Sequence, residues 1–581
     1  MGWGAADLKY RFQWTAPILV SAHAPHALYF AAQVLFRSLD EGQSWTVISP
    51  DLTRNDKSKQ LPSGGPLTKD NTSVEIYDTI FALAESPVDP NLLWVGTDDG
   101  LVQLSRDAGA HWRAVTPKDM PEWATVDMIE ADPTAPGTAY VAADRHRLDD
   151  RKPYAFKTTD FGQTWTAITT GLPDEAYVHV VRRDPARAGL LYAGTERGVF
   201  VSYDDGAHWQ SLQLNLPIVP VHDLVVHDAS LALATHGRAF WLLDDLSPVR
   251  QWQPQLASAS VHLFDPAPAS ITHLGSQGGA LRAAGGANPP AGAVIHYLLS
   301  AAIGSARVSE TPEPKGEDPK TPDPFDTRLR LDILDAHGTV IRSIPDPEPT
   351  ASPLAAGEAA LEAEDDEEAH KPAKLAHVAG VNRFIWDLHY AAATDIAGAA
   401  LWAGSVAGPR ALPGHYQVRL TVDGVSQTRP LEILADPRGI TTPAALAQQF
   451  ALHSAINAQL SAVHDAVLAL RAVRVRVVAA QSQGGPVGSA AAALERRLTA
   501  IEQALIEPRS HASEDALNYP VRLNNTLAAL GALVGSGDAA PTSQEEAMFA
   551  ELQAEAAPAL AAWRALQATD VVAFDALAGG G

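Results

Sequence analysis

The chain has 581 residues, enough on the usual length prior for about three or four domains, each able to bury its own core. Its formal charge of −25 excludes an extended phosphate-binding surface, so no nucleic acid is expected as a partner. It has no cysteine, which removes disulfides, thiolate metal sites and a cysteine nucleophile, and no run reaches the roughly 18 apolar residues of a membrane span.

Residues 1–250 carry a repeat. Four octets read hydroxyl, any residue, Asp, any residue, Gly, any residue, polar, Trp: Ser38–Trp45, Ser105–Trp112, Thr158–Trp165 and Ser202–Trp209. A short acidic side chain that bonds nearby backbone N–H groups, followed by a glycine free to take positive φ, predicts a tight hairpin. Upstream of the octets comes an apolar strand, a Pro-containing turn and a strand with a polar corner. In one unit these are Ile80-Phe81-Ala82-Leu83, Asp89-Pro90 and Leu93–Thr97; in another, Val178-His179-Val180-Val181, Asp184-Pro185 and Leu191–Thr195. A fifth unit, His222–Val226 with Leu231–Arg238, lacks the octet. Repeats of this length with about four strands each predict the blades of a β-propeller, five of them visible.

From 251 to 435 the pattern changes to alternating strands such as Arg328–Leu334 and Tyr416–Val422, the latter followed by the hairpin pair Asp423-Gly424, and an immunoglobulin-like β-sandwich is expected. Two segments, 310–326 and 345–374, are too poor in apolar residues to repay ordering and read as solvated loops. Residues 436–581 are rich in Ala and Leu. Ile456, Leu460, Val463, Val467, Leu470 and Val477, interrupted by Arg474, form a stripe at helical spacing, echoed by Leu494, Leu498, Ile501 and Leu505. These predict an α-helical bundle whose stripe is core; its alternative use is self-association of the chain through the C-terminal helices.

The octets resemble the Asp box, or BNR repeat, of sialidase-like and sortilin-like β-propellers. Together with Gly64–Asn71, Leu148–Tyr154 and Ala234–Asp245, they make residues 1 to about 438 similar to a bacterial family of large BNR or sortilin-type proteins often labelled glycosyl hydrolases. The resemblance implies a longer N-terminus and export to the periplasm or medium in the full-length family context, although this chain shows no signal peptide, and it makes the chain a C-terminal portion of such a protein. The Phe-Arg-Ile-Pro stretch of sialidases is absent from it.

In a propeller, the residues that open first strands and the turns between second and third strands share one rim. That rim is expected to gather Asp98, Asp99, Arg145, His146, Asp149, Asp150, Glu196, Arg197, His236 and Arg238 with Tyr77, Asp78, Tyr177, His179, His222 and Asp223. Carboxylates, imidazoles and guanidiniums around one opening suit acid-base or metal-assisted hydrolysis of a glycan or related ester. Asp98, Glu196, Asp150 and His236 are the candidate catalytic residues; Arg145, Arg238, Asp99 and Tyr177 are candidates for holding substrate. A divalent ion is the candidate cofactor, with His146, His236, His222 and Asp223 as its candidate ligands. The rival expectation is a non-catalytic propeller that binds a peptide or glycan in its channel. The four box aspartates are expected to be structural.

Overall fold

A computed structural model describes residues 3–62, 69, 71–272, 288–303, 328–345 and 374–578. The expected loop 310–326, residues 346–373 of the other loop, and most of Gly64–Asp70 lie outside the described residues. Two compact units divide the chain, Met1–Gln253 and Pro254–Gly581.

The first unit is a succession of antiparallel sheets, each with its strands in sequence order. The first contains Ile18–Val20, Leu28–Ala31, Leu35–Ser38 and Thr46–Val47; the second, Ile80–Ser86, Asp89–Thr97, Val102–Ser105 and Arg113–Ala114. The third contains Thr125–Ala131, Ala139–Arg145, Asp150–Thr158 and Thr166–Ala167; the fourth, Val178–Arg183, Leu191–Thr195, Gly198–Ser202 and Gln210–Ser211. The fifth, without an octet, has three strands, Val221–His227, Ser230–Thr235 and Phe240–Leu243. Opening strands of successive sheets lie side by side, and apolar clusters fill each gap from the first sheet to the fifth.

Each octet forms the hairpin between third and fourth strands, and its chemistry explains the repeat. In the last one Ser202 Oγ donates to Asp204 Oδ1 at 2.9 Å and receives the Gly206 N–H at 2.9 Å, while Asp204 Oδ1 receives the His208 N–H at 2.8 Å. The tryptophan works across sheets. Trp112, Trp165 and Trp209 donate Nε1–H to the carbonyls of Ile48, Val115 and Ile168, the residues just after the preceding sheet's last strand. The glycines of these three boxes, Gly109, Gly162 and Gly206, have positive φ and lie against those same residues. A Cβ on Gly162 would sit 2.7 Å from the Val115 side chain, and one on Gly109 would sit 2.8 Å from the Ile48 carbonyl oxygen. Each of these three boxes is therefore a hairpin and also a staple to the sheet before it.

In the second unit a three-stranded sheet (Val261–Leu263, Ala293–Leu299, Gly380–Trp386) and a five-stranded sheet share one core that includes Ile295, Tyr297, Trp386, Leu331, Val418 and Leu431. The helical bundle follows, with helices Pro443–Gln481, Gly485–Leu505, Leu523–Val534 and Ser543–Leu566. Thr442 and Thr542 cap two of them through side-chain oxygens that accept from Ala445 N and Glu545 N. The stripe residues Ile456, Leu460, Val463, Val467, Leu470 and Val477 are buried in this bundle's own core. Arg474 interrupts the stripe because it faces buried Glu502, to which it bonds together with Arg471.

Candidate functional site

Backbone irregularity builds the site. In the second to fifth sheets the pairing of first and second strands slips by one residue at the same place, so one first-strand residue has no partner. Those bulged residues are Phe81, Asp127, His179 and His222. A bulge of this kind bends its strand and re-aims the extra side chain. At the same end of the sheets a corner residue stands at or just past the end of the second strand: Asp98, Asp144, Glu196 and His236. Three of them donate their backbone N–H to the segment opening the first strand, Asp98 to Thr79 O, Glu196 to Tyr177 O and His236 to Pro220 O. Two repeat positions, bulge and corner, are thus polar in the third, fourth and fifth sheets, whereas the second sheet has Phe81 at its bulge.

These positions converge. His179 Nε2 lies 3.1 Å from Glu196 Oε2, and the His179 ring stacks on His222 with centroids 4.2 Å apart. His236 meets His222 edge-on at 5.0 Å. On the other side Tyr177 lies edge-on to His179 at 5.1 Å and stacks on His146 at 5.0 Å. His146 Nδ1 is 2.5 Å from Asp144 Oδ1. Two sets of ligand atoms, from His179, Glu196 and His222 and from Asp127, Asp144 and His179, each lie within 4.8 Å of one another. His179 belongs to both.

Electrostatics favour a ligand set over a set of charged side chains. Burial pushes the His179 imidazole below its ordinary value, against the pull of Glu196, and burial together with His179 and His236 lowers His222. Both rings therefore favour the neutral form that binds metal. Asp127 is pushed well above the usual carboxylate range by burial and by the nearby Asp144 carboxyl, and its Oδ2 is buried without a hydrogen-bond partner. Tyr177 is also pushed up, by burial and by its hydrogen bond to Glu196. Two neutral imidazoles and one carboxylate fit a zinc-type centre that leaves a position open. Ligand atoms about 2.0–2.2 Å from such an ion stand roughly 3.3 Å apart in tetrahedral geometry, close to the His179–Glu196 separation.

The remaining expected site residues are placed as follows. Asp98 is buried and accepts the Thr79 N–H at 2.8 Å and the Thr79 hydroxyl at 2.7 Å. Asp99, buried beside it, accepts the Arg54 N–H at 2.6 Å and the Thr97 hydroxyl. Burial raises these carboxyls to about 7 and about 6. Asp150 accepts the Tyr154 hydroxyl at 2.7 Å and lies 3.6 Å from Arg145, whose Nε donates to Glu122 O. Asp223 turns to Arg182 at 3.1 Å. Arg238 is exposed near His236. The structure thus groups His146, Tyr177, Glu196, His222 and His236, adds His179 from among the strand openers, and holds Asp98, Asp99, Asp150 and Asp223 in other contacts. Asp127 and Asp144 join the cluster although neither was a candidate. Each lies within an apolar strand, and the signal that finds them is their alignment with His179 and Glu196 in the repeat.

No family model matches the chain, and no curated protein matches it. Among solved structures, it is similar to the Niastella koreensis GH74 enzyme at 15% identity and a TM-score of 0.31, covering 44% of this chain and 38% of that one. An ancestral GH74 enzyme matches at 17% identity and a TM-score of 0.30, covering 40% of this chain and 29% of that one. The Swd1 β-propeller domain from Myceliophteria thermophila matches at 11% identity and a TM-score of 0.29, covering 40% and 65%. The chain spans less than two fifths of either GH74 enzyme's length. These are distant likenesses to β-propeller-type proteins, and the site stands on its own geometry.

Proposed function

We propose that the chain is a hydrolase of the Asp-box β-propeller type that cleaves a glycan or related ester by metal-assisted hydrolysis where its imidazoles meet. The observation that carries this reading is the convergence of His179, Glu196 and His222, from two successive sheets, to within 4.8 Å. On this reading the five sheets are blades and the two-sheet core after them is an immunoglobulin-like sandwich; export belongs to the full-length family context. His179, Glu196 and His222 would hold a divalent ion, whose chemistry would be activation of water and Lewis acidity at neutral pH. The chain's own groups do the rest. The Tyr177 hydroxyl holds the Glu196 carboxylate in orientation, and Asp144 fixes the His146 ring as a neighbouring proton carrier. The test is to strip the protein with a chelator, add back zinc or manganese, and assay chromogenic glycosides and esters. Metal should restore turnover, and His179→Ala and Glu196→Gln should each lower it by at least about 100-fold, more than the loss typical of an outer-shell change. Turnover indifferent to chelator and to both substitutions would sink the reading.

A further inference from the structure

We propose that the first unit holds a second divalent ion, ligated by Asp127, Asp144 and His179, and that the His179 imidazole joins it to the ion of the His179–Glu196–His222 centre. This rests on the hydrolase reading and makes its centre dinuclear. The repeat itself carries the argument. The His179–Glu196–His222 set consists of the bulge and the corner of the fourth sheet with the bulge of the fifth. Asp127, Asp144 and His179 are the bulge and the corner of the third sheet with the bulge of the fourth, so one rule builds both sets, one sheet apart. The second sheet shows what breaks the rule. Its bulge is Phe81, which offers no ligand atom, and Asp98 at its corner bonds Thr79 instead.

The second set is also the more enclosed. Asp144 and His179 are 2% and 8% exposed, and Asp127 Oδ2 is buried with no hydrogen-bond partner among the described residues. Asp144 Oδ1 accepts the His146 N–H at 3.1 Å and lies 2.5 Å from His146 Nδ1. No lysine or arginine forms an ion pair with Asp127 or Asp144 among the described residues, whereas buried Asp132 and Asp184 meet Arg183 at 3.2 Å and Arg250 at 2.9 Å. The ligand atoms of the two carboxylates and the imidazole lie within 4.8 Å of one another, and a buried carboxylate oxygen that no donor reaches calls for a cation. Two carboxylates with one imidazole suit zinc or manganese. A proton shared between the carboxylates is the competing occupant, and a metal count separates the two. His179 serves both ions because its two ring nitrogens are separate ligand positions. Nε2 is the atom beside Glu196, 3.1 Å from Oε2, which leaves Nδ1 for the carboxylate pair. Ligating both ions makes the ring an imidazolate, and its remaining proton passes to solvent as the second ion binds.

The experiment uses the full chain. It is stripped with a chelator, reloaded with zinc and passed through gel filtration, and the retained zinc is counted by atomic absorption. A second sample is loaded with copper(II), which this donor set also binds, and examined by electron paramagnetic resonance. We expect two zinc ions per chain, falling to one in Asp127→Asn and in Asp144→Asn, each shown to be folded by circular dichroism. Two copper ions on one imidazolate couple their spins, so the parent's signal per copper should be less than half that of Asp127→Asn. One zinc in the parent would overturn the inference, as would two zincs with uncoupled copper or an unchanged count in both variants. Those results would leave the hydrolase reading standing, because turnover decides it. Absence of zinc binding would overturn both. If neither variant folds, the parent's zinc count and copper spectrum decide alone.

Discussion

At the scale of single residues, the two repeat positions separate groups that look alike in sequence. His222 and His236 are both imidazoles near a strand end, yet only His222 has a ring nitrogen within ligand distance of His179 and Glu196, whereas His236 touches the cluster through its ring. His222→Ala is therefore expected to lower zinc affinity by more than about 100-fold and His236→Ala by no more than the roughly 10–100-fold that loss of an outer-shell group costs; titration against a competing chelator measures both. Asp98 gives the pH prediction. Burial raises its carboxyl from 3.8 to about 7, so between those values the native state binds more protons than the unfolded one. Stability then falls as pH rises through this window, by an amount on the order of a few kcal/mol. Asp98→Asn keeps an acceptor for the Thr79 N–H and cannot ionise. Its melting temperature should fall less between pH 4.5 and 7.5 than the parent's, and parallel profiles would refute the assignment.

At the scale of elements, the sequence was most legible where one residue type has one geometric use. The octets announced their hairpins because Asp, Gly and the hydroxyl each satisfy a stated backbone need, and the missing octet of the fifth unit appears as a sheet of three strands. The staple was not legible, because the partner of each tryptophan is a carbonyl in another repeat. That partner makes a graded prediction. Trp209 is buried and bonds Ile168 O, so Trp209→Phe leaves a carbonyl unpaired and should cost about 1–3 kcal/mol in urea unfolding. Trp45 has no cross-sheet carbonyl partner among the described residues and is 40% exposed, so Trp45→Phe should cost under about 0.5 kcal/mol. In the bundle, periodicity showed the stripe but not why Arg474 breaks it; the answer is Glu502, 3% exposed and shared by Arg471 and Arg474. Glu502→Leu should destabilise by roughly 3–5 kcal/mol, because it strands buried guanidinium charge. Loss of less than about 1 kcal/mol would show that water replaces the carboxylate.

At the scale of the whole molecule, the site depends on how the first unit ends. Asp127, Asp144, His179, Glu196 and His222 come from its third, fourth and fifth sheets, and the apolar clusters between those sheets contain no residue beyond Leu246 and Val249. Alternating strands and their corners could be read from the sequence, but bulges could not, because a one-residue slip leaves no mark on composition. The rim was therefore expected as a broad polar belt, whereas the fold narrows it to one cluster. The fifth sheet has no octet to staple it to the fourth, and another device replaces the box. Leu246 N bonds Ala229 O, the Arg187 guanidinium donates to the carbonyls of Val249 and Arg250, and Arg250 Nε donates to buried Asp184 at 2.9 Å. This clamp ties residues 246–250 to the fourth sheet at the end of the first strands opposite to His179 and His222. A fragment of residues 1–253 should therefore bind zinc within about threefold of the full chain, while Arg250→Ala in either form, by loosening the fifth sheet on the fourth, should weaken binding by more than that threefold margin, on the order of tenfold. Zinc titration of the four proteins, with circular dichroism to show that each is folded, checks this. If 1–253 is folded but no longer binds, residues beyond the first unit complete the centre; if Arg250→Ala binds as the parent does, the clamp does not support the centre.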